Sequence, residues 1–175
     1  MSKETEKRQR FEAMARKWST DLFRYALWLC GREALARDLV QETFLRAWRA
    51  LDSLQDEGAA KSWLITILRR EYARTFERKV PGFTELDTVE LPDTTGAGPD
   101  EQAELDLLRQ GMAALPPLYR EPLLLQIVMG YSCDEIATEL GISKSAVMTQ
   151  LFRAREQLKA RLREDGITGN VHGLF

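Results

Sequence analysis

The sequence is poor in the residues and patterns that catalysis and metal binding use. It contains one histidine, His172, and two cysteines, Cys30 and Cys133, which lie far apart and form no C-x-x-C pair. No P-loop, G-x-S-x-G, H-E-x-x-H or zinc-ligand spacing occurs in it. We therefore predict that the protein is not an enzyme, that it has no catalytic residue, metal, cofactor or small-molecule substrate, and that both cysteines are reduced core thiols.

Long apolar runs are also absent. The N-terminal segment MSKETEKRQR lacks the apolar core of a signal peptide, and no stretch approaches the length of a membrane span. Charged residues make up 30% and hydrophobic residues 44% of the 175-residue chain, which is typical of globular proteins. The sequence predicts a cytoplasmic protein without direct membrane insertion, long enough for one large or two small domains.

The small net charge of -2 conceals a strong segregation of charge along the chain. Residues 83–110 contain eight acids and the single basic residue Arg109, whereas residues 143–163 contain six Lys or Arg residues and the single acid Glu156. A phosphate backbone responds to local charge within a Debye length of about 10 Å. The basic stretch therefore indicates a phosphate-binding surface, with a solvated helix face as the alternative.

The segment 131–158 has the spacing of a helix-turn-helix. Ser132 and Glu135 form the S-x-x-E pattern of a capping box, which starts a short helix, and Gly141 ends that helix and turns the chain. Ser143 caps a second, longer helix with an apolar stripe on one side. Away from this stripe lie Lys144, Ser145, Met148, Thr149 and Arg153. Two helices linked in this way place the second in a major groove, although a plain helical hairpin remains open.

Three amphipathic helices are predicted in the N-terminal half, at 11–29, 33–51 and 62–79, with a polar loop before the third. The third helix carries an apolar ridge and a basic ridge, each with four-residue spacing. The apolar ridge consists of Leu64, Leu68, Tyr72 and Phe76. The basic ridge consists of Arg70, Arg74 and Arg78. Arginines beside aromatics suit melted or single-stranded nucleic acid, whereas each aromatic taken singly is also explained as a core residue.

The second of these helices carries a polar patch opposite its apolar stripe, formed by Asp38, Gln41 and Glu42. Two carboxylates one turn apart repel each other slightly. Simple solvent exposure explains the patch, and so does docking to a basic partner.

A linker and a second helical region follow. Residues 80–99 hold three of the six prolines and show no helical period, which predicts a flexible acidic linker. Helices are predicted at 100–115 and from Pro117 to Gly130, because Pro116 and Pro117 break the first and Pro117 can begin the second. The apolar stripe of the latter consists of Leu123, Leu124 and Ile127.

Taken in order, three segments closely resemble the extracytoplasmic-function (ECF) sigma factors of bacterial RNA polymerase, within the sigma-70 superfamily. The segments are DLVQETFLRAWRAL, SWLITILRREYARTFERK and ALPPLYREPLLLQIVMGYSCDEIATELGISKSAVMTQLFRAREQL. The resemblance implies an all-α fold of two small helical domains joined by a flexible acidic linker. These are a σ2 domain at 1–80, a linker at 81–99, a σ4 helix-turn-helix domain at 100–165 and a tail at 166–175.

The resemblance also implies a function and partners. The protein would bind core RNA polymerase through the β′ clamp helices and the β flap, recognise −10 and −35 promoter DNA, and meet an anti-sigma factor. The implied core-docking residues are Asp38, Gln41, Glu42 and Leu45. The implied −10 residues are Trp63, Arg69, Arg70, Tyr72, Arg74, Phe76, Arg78 and Lys79, and the loop 52–61 would hold a flipped base. The implied −35 residues are Ser143, Lys144, Ser145, Met148, Thr149, Phe152 and Arg153.

Four positions depart from the family's usual pattern. Arg70 and Arg74 stand where the −10 helix commonly has Asn and Asp, which makes this helix more basic than usual. Met148 and Gln150 stand where V-K-S-R-L has Lys and Arg. The loss of two cations weakens the phosphate contribution and leaves Met148 for apolar contact, for example with a thymine methyl group.

Two other functions stay open at this point. One is a helix-turn-helix regulator that binds duplex DNA as a dimer without polymerase, which would need a self-complementary face. The other is a helical interaction protein that never contacts nucleic acid.

Overall fold

The computed structural model describes residues 2–77 and 98–166, and this part of the chain consists of helices joined by short turns, without a β-strand. The predicted all-α fold is confirmed. The helices are α1 (Lys3–Cys30), α2 (Glu33–Ala50), α3 (Ala60–Glu77), α4 (Pro99–Ala114), α5 (Pro117–Ile127), α6 (Cys133–Leu140) and α7 (Lys144–Glu164). Two short 3-10 turns, Leu51–Ser53 and Glu57–Ala59, lie between α2 and α3.

The chain divides into two compact units. The first comprises Met1–Ala26 and Ala34–Asp87, and the second comprises Leu27–Glu33 and Thr88–Phe175. The predicted linker falls almost wholly outside the described residues, as do Arg78, Lys79 and the tail with His172.

The first unit is built on the predicted apolar stripes of α1, α2 and α3. Its buried side chains include Met14, Leu22, Tyr25, Leu39, Ala47, Leu51, Leu64, Ile65 and Leu68. The aromatic side chains at the edge of this core are only partly buried: the ring of Phe11 meets Phe44 at 6.0 Å and Trp48 at 5.3 Å, edge to face. Edge-to-face packing of this kind is the favoured geometry for aromatic pairs.

The second unit packs α4, α5 and α6 around α7. Fully buried side chains line these helices, among them Leu123, Leu124, Leu125, Ile136, Val147, Leu151 and Leu158. The predicted stripe of α5 was wrong at one position, because Leu125 is buried whereas Ile127 is 42% exposed. The side chain at position 125 points inward because α5 meets both α6 and α7, so its buried face is wider than a single stripe.

The turn between α4 and α5 is held by Arg120, which no sequence pattern indicated. Its guanidinium donates to the carbonyl oxygens of Met112 at 3.2 Å, Ala113 at 2.8 Å and Leu115 at 2.7 Å. The last carbonyl groups of a helix have no partner within that helix. Arg120 therefore supplies donors to the Ala113 and Leu115 carbonyls, since Pro116 and Pro117 have no N–H to offer. The Met112 carbonyl accepts from the N–H of Leu115 as well as from Arg120.

Candidate nucleic-acid interface

The helix-turn-helix is held by its own local chemistry. The Ser132 hydroxyl accepts from the backbone N–H of Glu135 at 3.1 Å, and the Glu135 carboxylate accepts from the backbone N–H of Ser132 at 3.2 Å. Gly141 has a φ of +66°, the left-handed conformation that ends α6, and the Ser143 hydroxyl caps α7 through the N–H of Ala146. The predicted capping box, glycine turn and second cap are confirmed.

The outer face of α7 carries two large apolar side chains among polar ones. Met148 and Phe152, one turn apart, are 56% and 64% exposed. Ser145, Thr149 and Arg153 are also exposed beside them. Side chains one turn apart on a helix lie about 5–6 Å apart. Met148 and Phe152 thus form an outward apolar pair at the start of the long helix.

Three of the predicted −35 residues, at and near the start of α7, already have partners within the protein. The Lys144 ammonium contacts the carboxylate of Asp134 in α6 at 3.2 Å, and both side chains are exposed. The Ser143 hydroxyl is engaged in capping, and the Thr149 hydroxyl donates to the carbonyl of Ser145 at 3.1 Å. Exposed ion pairs contribute little to stability, so the Lys144 ammonium can be drawn away from Asp134 by a phosphate.

The basic stretch of α7 presents fewer free cations than its sequence indicated. Arg155 is partly buried, and its guanidinium donates to the side-chain oxygen of Gln126 in α5. Lys159 lies 3.8 Å from Glu156. Arg153, Arg161 and Arg163 are exposed. The local charge balance of a sequence counts all basic residues, whereas only those that point outward meet a phosphate.

The polar patch of α2 is only partly solvent-facing. Asp38, Gln41 and Leu45 are exposed, but Glu42 is intermediate in exposure and lies 3.2 Å from the Nε of Arg46, one turn along the helix. Leu45 is thus an apolar side chain set beside polar ones on an accessible helix face. An apolar residue in a polar surround is typical of a docking surface.

The aromatic ridge of α3 emerges from the core towards the end of the helix. Leu64 and Leu68 are buried and Tyr72 is partly buried, whereas Phe76 is 52% exposed. The Tyr72 and Phe76 rings meet edge to face at 4.8 Å. The first two positions of the ridge are thus core residues, and the last two combine an aromatic surface with the exposed Arg70 nearby. Trp63 and Arg69 are partly buried.

A row of four charges joins α2 to α3. The carboxylate of Glu71 in α3 has only 7% of its side chain exposed and forms ion pairs with Arg46 of α2 and, at 3.2 Å, with Arg74 of α3. Arg46 also contacts Glu42, so the charges alternate in the order Glu42, Arg46, Glu71, Arg74. The sequence interpretation missed Arg46 and Glu71. The sequence shows that Glu42 and Arg46, and likewise Glu71 and Arg74, are one helical turn apart. It does not show that Arg46 of α2 contacts Glu71 of α3.

The loop before α3 is attached to α1 by two ion pairs. Lys7 contacts Asp52 at 3.1 Å, and Arg10 contacts Glu57 at 2.7 Å and donates to the carbonyl of Leu54. An open groove of about 540 Å³ lies beside this attachment, between α1 and the start of α3. It is lined by Arg10, Ala13, Met14, Lys17, Trp18, Glu57 and Ala60. The loop therefore contacts α1 next to an accessible surface.

Across 2–77 and 98–166, no three His, Cys, Asp or Glu side chains come together as a metal site. None of the helices described is both long and apolar enough to cross a bilayer. Cys30 and Cys133 form no disulfide and are partly exposed, so the expectation that both lie in the core was wrong. Each lies at a helix end, where neighbouring side chains cover it on fewer sides.

Comparisons with known proteins match both halves of the chain. The family described as Sigma-70 region 2 matches residues 14–80, and Sigma-70, region 4 matches residues 105–158. The ECF RNA polymerase sigma factor SigL of Mycobacterium tuberculosis is 37% identical over 157 residues, covering 84% of this chain and 85% of SigL. The ECF RNA polymerase sigma factor SigM of Bacillus subtilis is 32% identical over 147 residues, covering 82% and 89%.

Two solved structures have a similar arrangement of helices. The sigma factor RpoE, in complex with the anti-sigma factor NepR from Bartonella quintana, superposes with a TM-score of 0.77 at 25% identity, covering 89% of this chain and 98% of RpoE. CnrH, in complex with the cytosolic domain of CnrY, superposes with a TM-score of 0.68 at 25% identity, covering 89% of each chain.

Proposed function

The chain belongs to the ECF sigma factors of RNA polymerase, a family of promoter-specificity subunits, and from this we propose how its residues divide the work of initiation. The proposed domains are a σ2 domain at 1–80, a linker at 81–99 and a σ4 domain at 100–165. The σ2 domain would dock on core polymerase and bind the melted −10 strand, and the σ4 domain would bind the −35 duplex. The protein would have no chemistry of its own and would work in the cytoplasm.

The −35 reader would be the exposed face of α7. A helix-turn-helix presents the first turns of its second helix to base edges in the major groove. In α7 those turns carry Lys144, Ser145, Met148, Thr149 and Phe152, all of them exposed. We infer that Met148 and Phe152 read methyl groups while Arg153 contacts phosphate.

The −10 surface would be the last two turns of α3. Phe76 offers an exposed ring that stacks on an unpaired base, a contact of about 1–3 kcal/mol per base. Arg70 and Arg74 lie on the same stretch of helix and would hold the strand's phosphates. The loop 52–61, fixed to α1 by its two ion pairs, would receive a flipped base.

The core-docking surface would be the patch of Asp38, Gln41, Glu42 and Leu45 on α2. Exposed carboxylates around an exposed Leu suit a basic partner surface with an apolar centre, such as the β′ clamp helices. In the σ4 domain, the exposed Leu118 and Ile127 of α5 would pack on the β flap.

An anti-sigma factor is a further proposed partner. RpoE and CnrH were each solved in complex with such a partner or with its cytosolic domain. The apolar side chains exposed in both units of this chain, Leu45 and Phe76 in the first and Leu118 and Ile127 in the second, would be covered in such a complex.

Run-off transcription with purified core RNA polymerase tests the proposal. We expect promoter-dependent transcripts only when this protein is added. The double variant Arg74→Ala with Arg78→Ala should impair promoter opening, followed by permanganate reactivity of unpaired thymines, more than it impairs duplex −35 binding. Arg16→Ala, which removes an exposed arginine of α1, is the control and should change neither.

Three outcomes would contradict the proposal at different points. Polymerase binding without promoter-dependent initiation would refute the function itself. Tight duplex binding in the absence of polymerase would favour the helix-turn-helix regulator instead. Equal losses of opening and of −35 binding in the arginine variant would refute the division of labour between the two domains.

A further inference from the structure

Glu71 is a buried carboxylate at the border of a proposed DNA surface. Its side chain is 7% exposed, whereas Arg74, one turn further along α3, is 44% exposed. Taking a carboxylate out of water is costly unless cations or donors surround it. Glu71 meets this need with a cation from each side, Arg46 from α2 and Arg74 from its own helix.

The same contact restricts Arg74. A free arginine side chain samples many rotamers, and fixing it upon binding weakens the binding by roughly 2- to 10-fold. In this structure one terminal nitrogen, Nη1, lies 3.2 Å from the Glu71 carboxylate. A guanidinium has five N–H donors in a rigid fork, so the remaining donors stay available for a phosphate.

Arg46 determines where the Glu71 carboxylate lies. It is the cation from the neighbouring helix, its side chain is 35% exposed, and it contacts Glu42 as well as Glu71. Among residues 2–77 and 98–166, Arg74 is the one other cation in contact with the Glu71 carboxylate, so without Arg46 the carboxylate would have no cation from α2.

We propose that Arg46 and Glu71 are positioning residues for promoter opening: they hold the Arg74 guanidinium in the orientation in which it binds a phosphate of the −10 strand. This rests on the proposed function, in which Arg74 contacts that strand. Neither Arg46 nor Glu71 touches DNA, and both act through Arg74.

The test is a double-mutant cycle on the full chain assembled with core polymerase. The probe is a fluorescent single strand carrying the −10 element of a promoter found by run-off transcription. Glu71→Gln keeps the shape of the side chain and removes its charge, and we expect it to weaken strand binding by roughly 2- to 10-fold, the loss of one prearranged side chain. Arg74→Ala should weaken binding at least as much. Glu71→Gln added to Arg74→Ala should change binding by less than about 2-fold.

The cycle separates positioning from a merely structural role. A general loosening of α3 would weaken binding in both backgrounds, so equal effects of Glu71→Gln with and without Arg74 overturn the proposal. Unchanged or tighter binding by Glu71→Gln alone also overturns it. If Arg74→Ala has no effect, the −10 assignment of Arg74 and its positioning fail together, while run-off transcription still reports independently on the sigma-factor function.

A second route leaves Glu71 in place. Arg46→Met should weaken strand binding by roughly 2- to 10-fold, and Arg46→Lys, which keeps a cation beside Glu71, should restore most of it. Equal losses in the Met and Lys variants would overturn the positioning role of Arg46. Glu12→Gln, which breaks the exposed pair with Arg16 in α1, is the matched control and should leave strand binding unchanged.

Discussion

Replacing Arg120 by methionine should loosen the second unit, because this single side chain satisfies three carbonyl groups at the end of α4. The hydrogen bonds measure 2.7 to 3.2 Å and go to Met112, Ala113 and Leu115. Methionine keeps most of the side chain's length and apolar contact but has no donor. The substitution therefore removes the hydrogen bonds with little change in packing.

The magnitude follows from the number of bonds. A hydrogen bond contributes about 0.5–1.5 kcal/mol net, and more when the donor is charged, but these carbonyl groups lie where water can partly replace the guanidinium. About 1 kcal/mol for each of these three bonds gives a loss of about 3 kcal/mol. A fourth bond of the guanidinium, to the carbonyl of Leu29 at 3.3 Å, is the longest and adds least. Since 1.4 kcal/mol is a factor of ten, the population of the open state should rise roughly a hundredfold.

Hydrogen exchange followed by mass spectrometry measures this change helix by helix. The slowest amides of α4 and α5 should exchange roughly a hundredfold faster in Arg120→Met, because their exchange requires the unit to open. Arg120→Lys should be intermediate, since one ammonium cannot reach three carbonyls in a fixed fork. Arg161→Met, at an exposed position of α7, is the control. Exchange within about threefold of the parent protein would refute the capping role of Arg120.

Further predictions concern the recognition helix, the capping box and one close approach of helices. Arg153→Met should reduce the steepness of the dependence of log K on log salt by about 0.9 for holoenzyme on −35 duplex, and an unchanged slope would show that Arg153 contacts no phosphate. Ser132→Ala should cost about 1 kcal/mol in urea unfolding and Ser132→Gly only a few tenths, so equal losses would contradict the capping box. A Cβ at Gly111 would meet a methyl group of Leu158 at 2.8 Å. Gly111→Ala should therefore destabilise by about 1 kcal/mol, but stabilise a Leu158→Ala background, where the gain in helix propensity is unopposed.

Features set by neighbouring residues were predictable from the sequence. The capping box needs only Ser132 and Glu135, three positions apart, and the turn needs a residue that tolerates positive φ, which Gly141 supplies. Both depend on backbone geometry within one or two turns. The periodic apolar residues of α1, α2 and α3 likewise identified the helices and most of the first core.

Features that depend on contacts between helices were not predictable. No spacing rule brings Arg46 to Glu71, or Arg120 to the end of α4, because those contacts are set by how helices pack after they form. For the same reason Arg155 was expected among the cations of the phosphate-binding surface, although its guanidinium donates to the side-chain oxygen of Gln126 in α5. The periodicity of apolar residues identifies the apolar face of a helix, but it does not show which parts of that face other helices cover. Ile127 was therefore expected to be buried, although it is exposed.

Arg46 lies between a carboxylate of the docking patch and the carboxylate that holds Arg74. A cation of a bound partner would compete with Arg46 for the Glu42 carboxylate. The interaction of Arg46 with Glu71 would then change, and with it the interaction of Glu71 with Arg74. Thermodynamic linkage makes such an influence mutual: the factor by which one ligand changes the affinity for a second equals the factor by which the second changes the affinity for the first. If the proposed docking and −10 surfaces are right, this one guanidinium would couple the retention of polymerase to the retention of the opened strand.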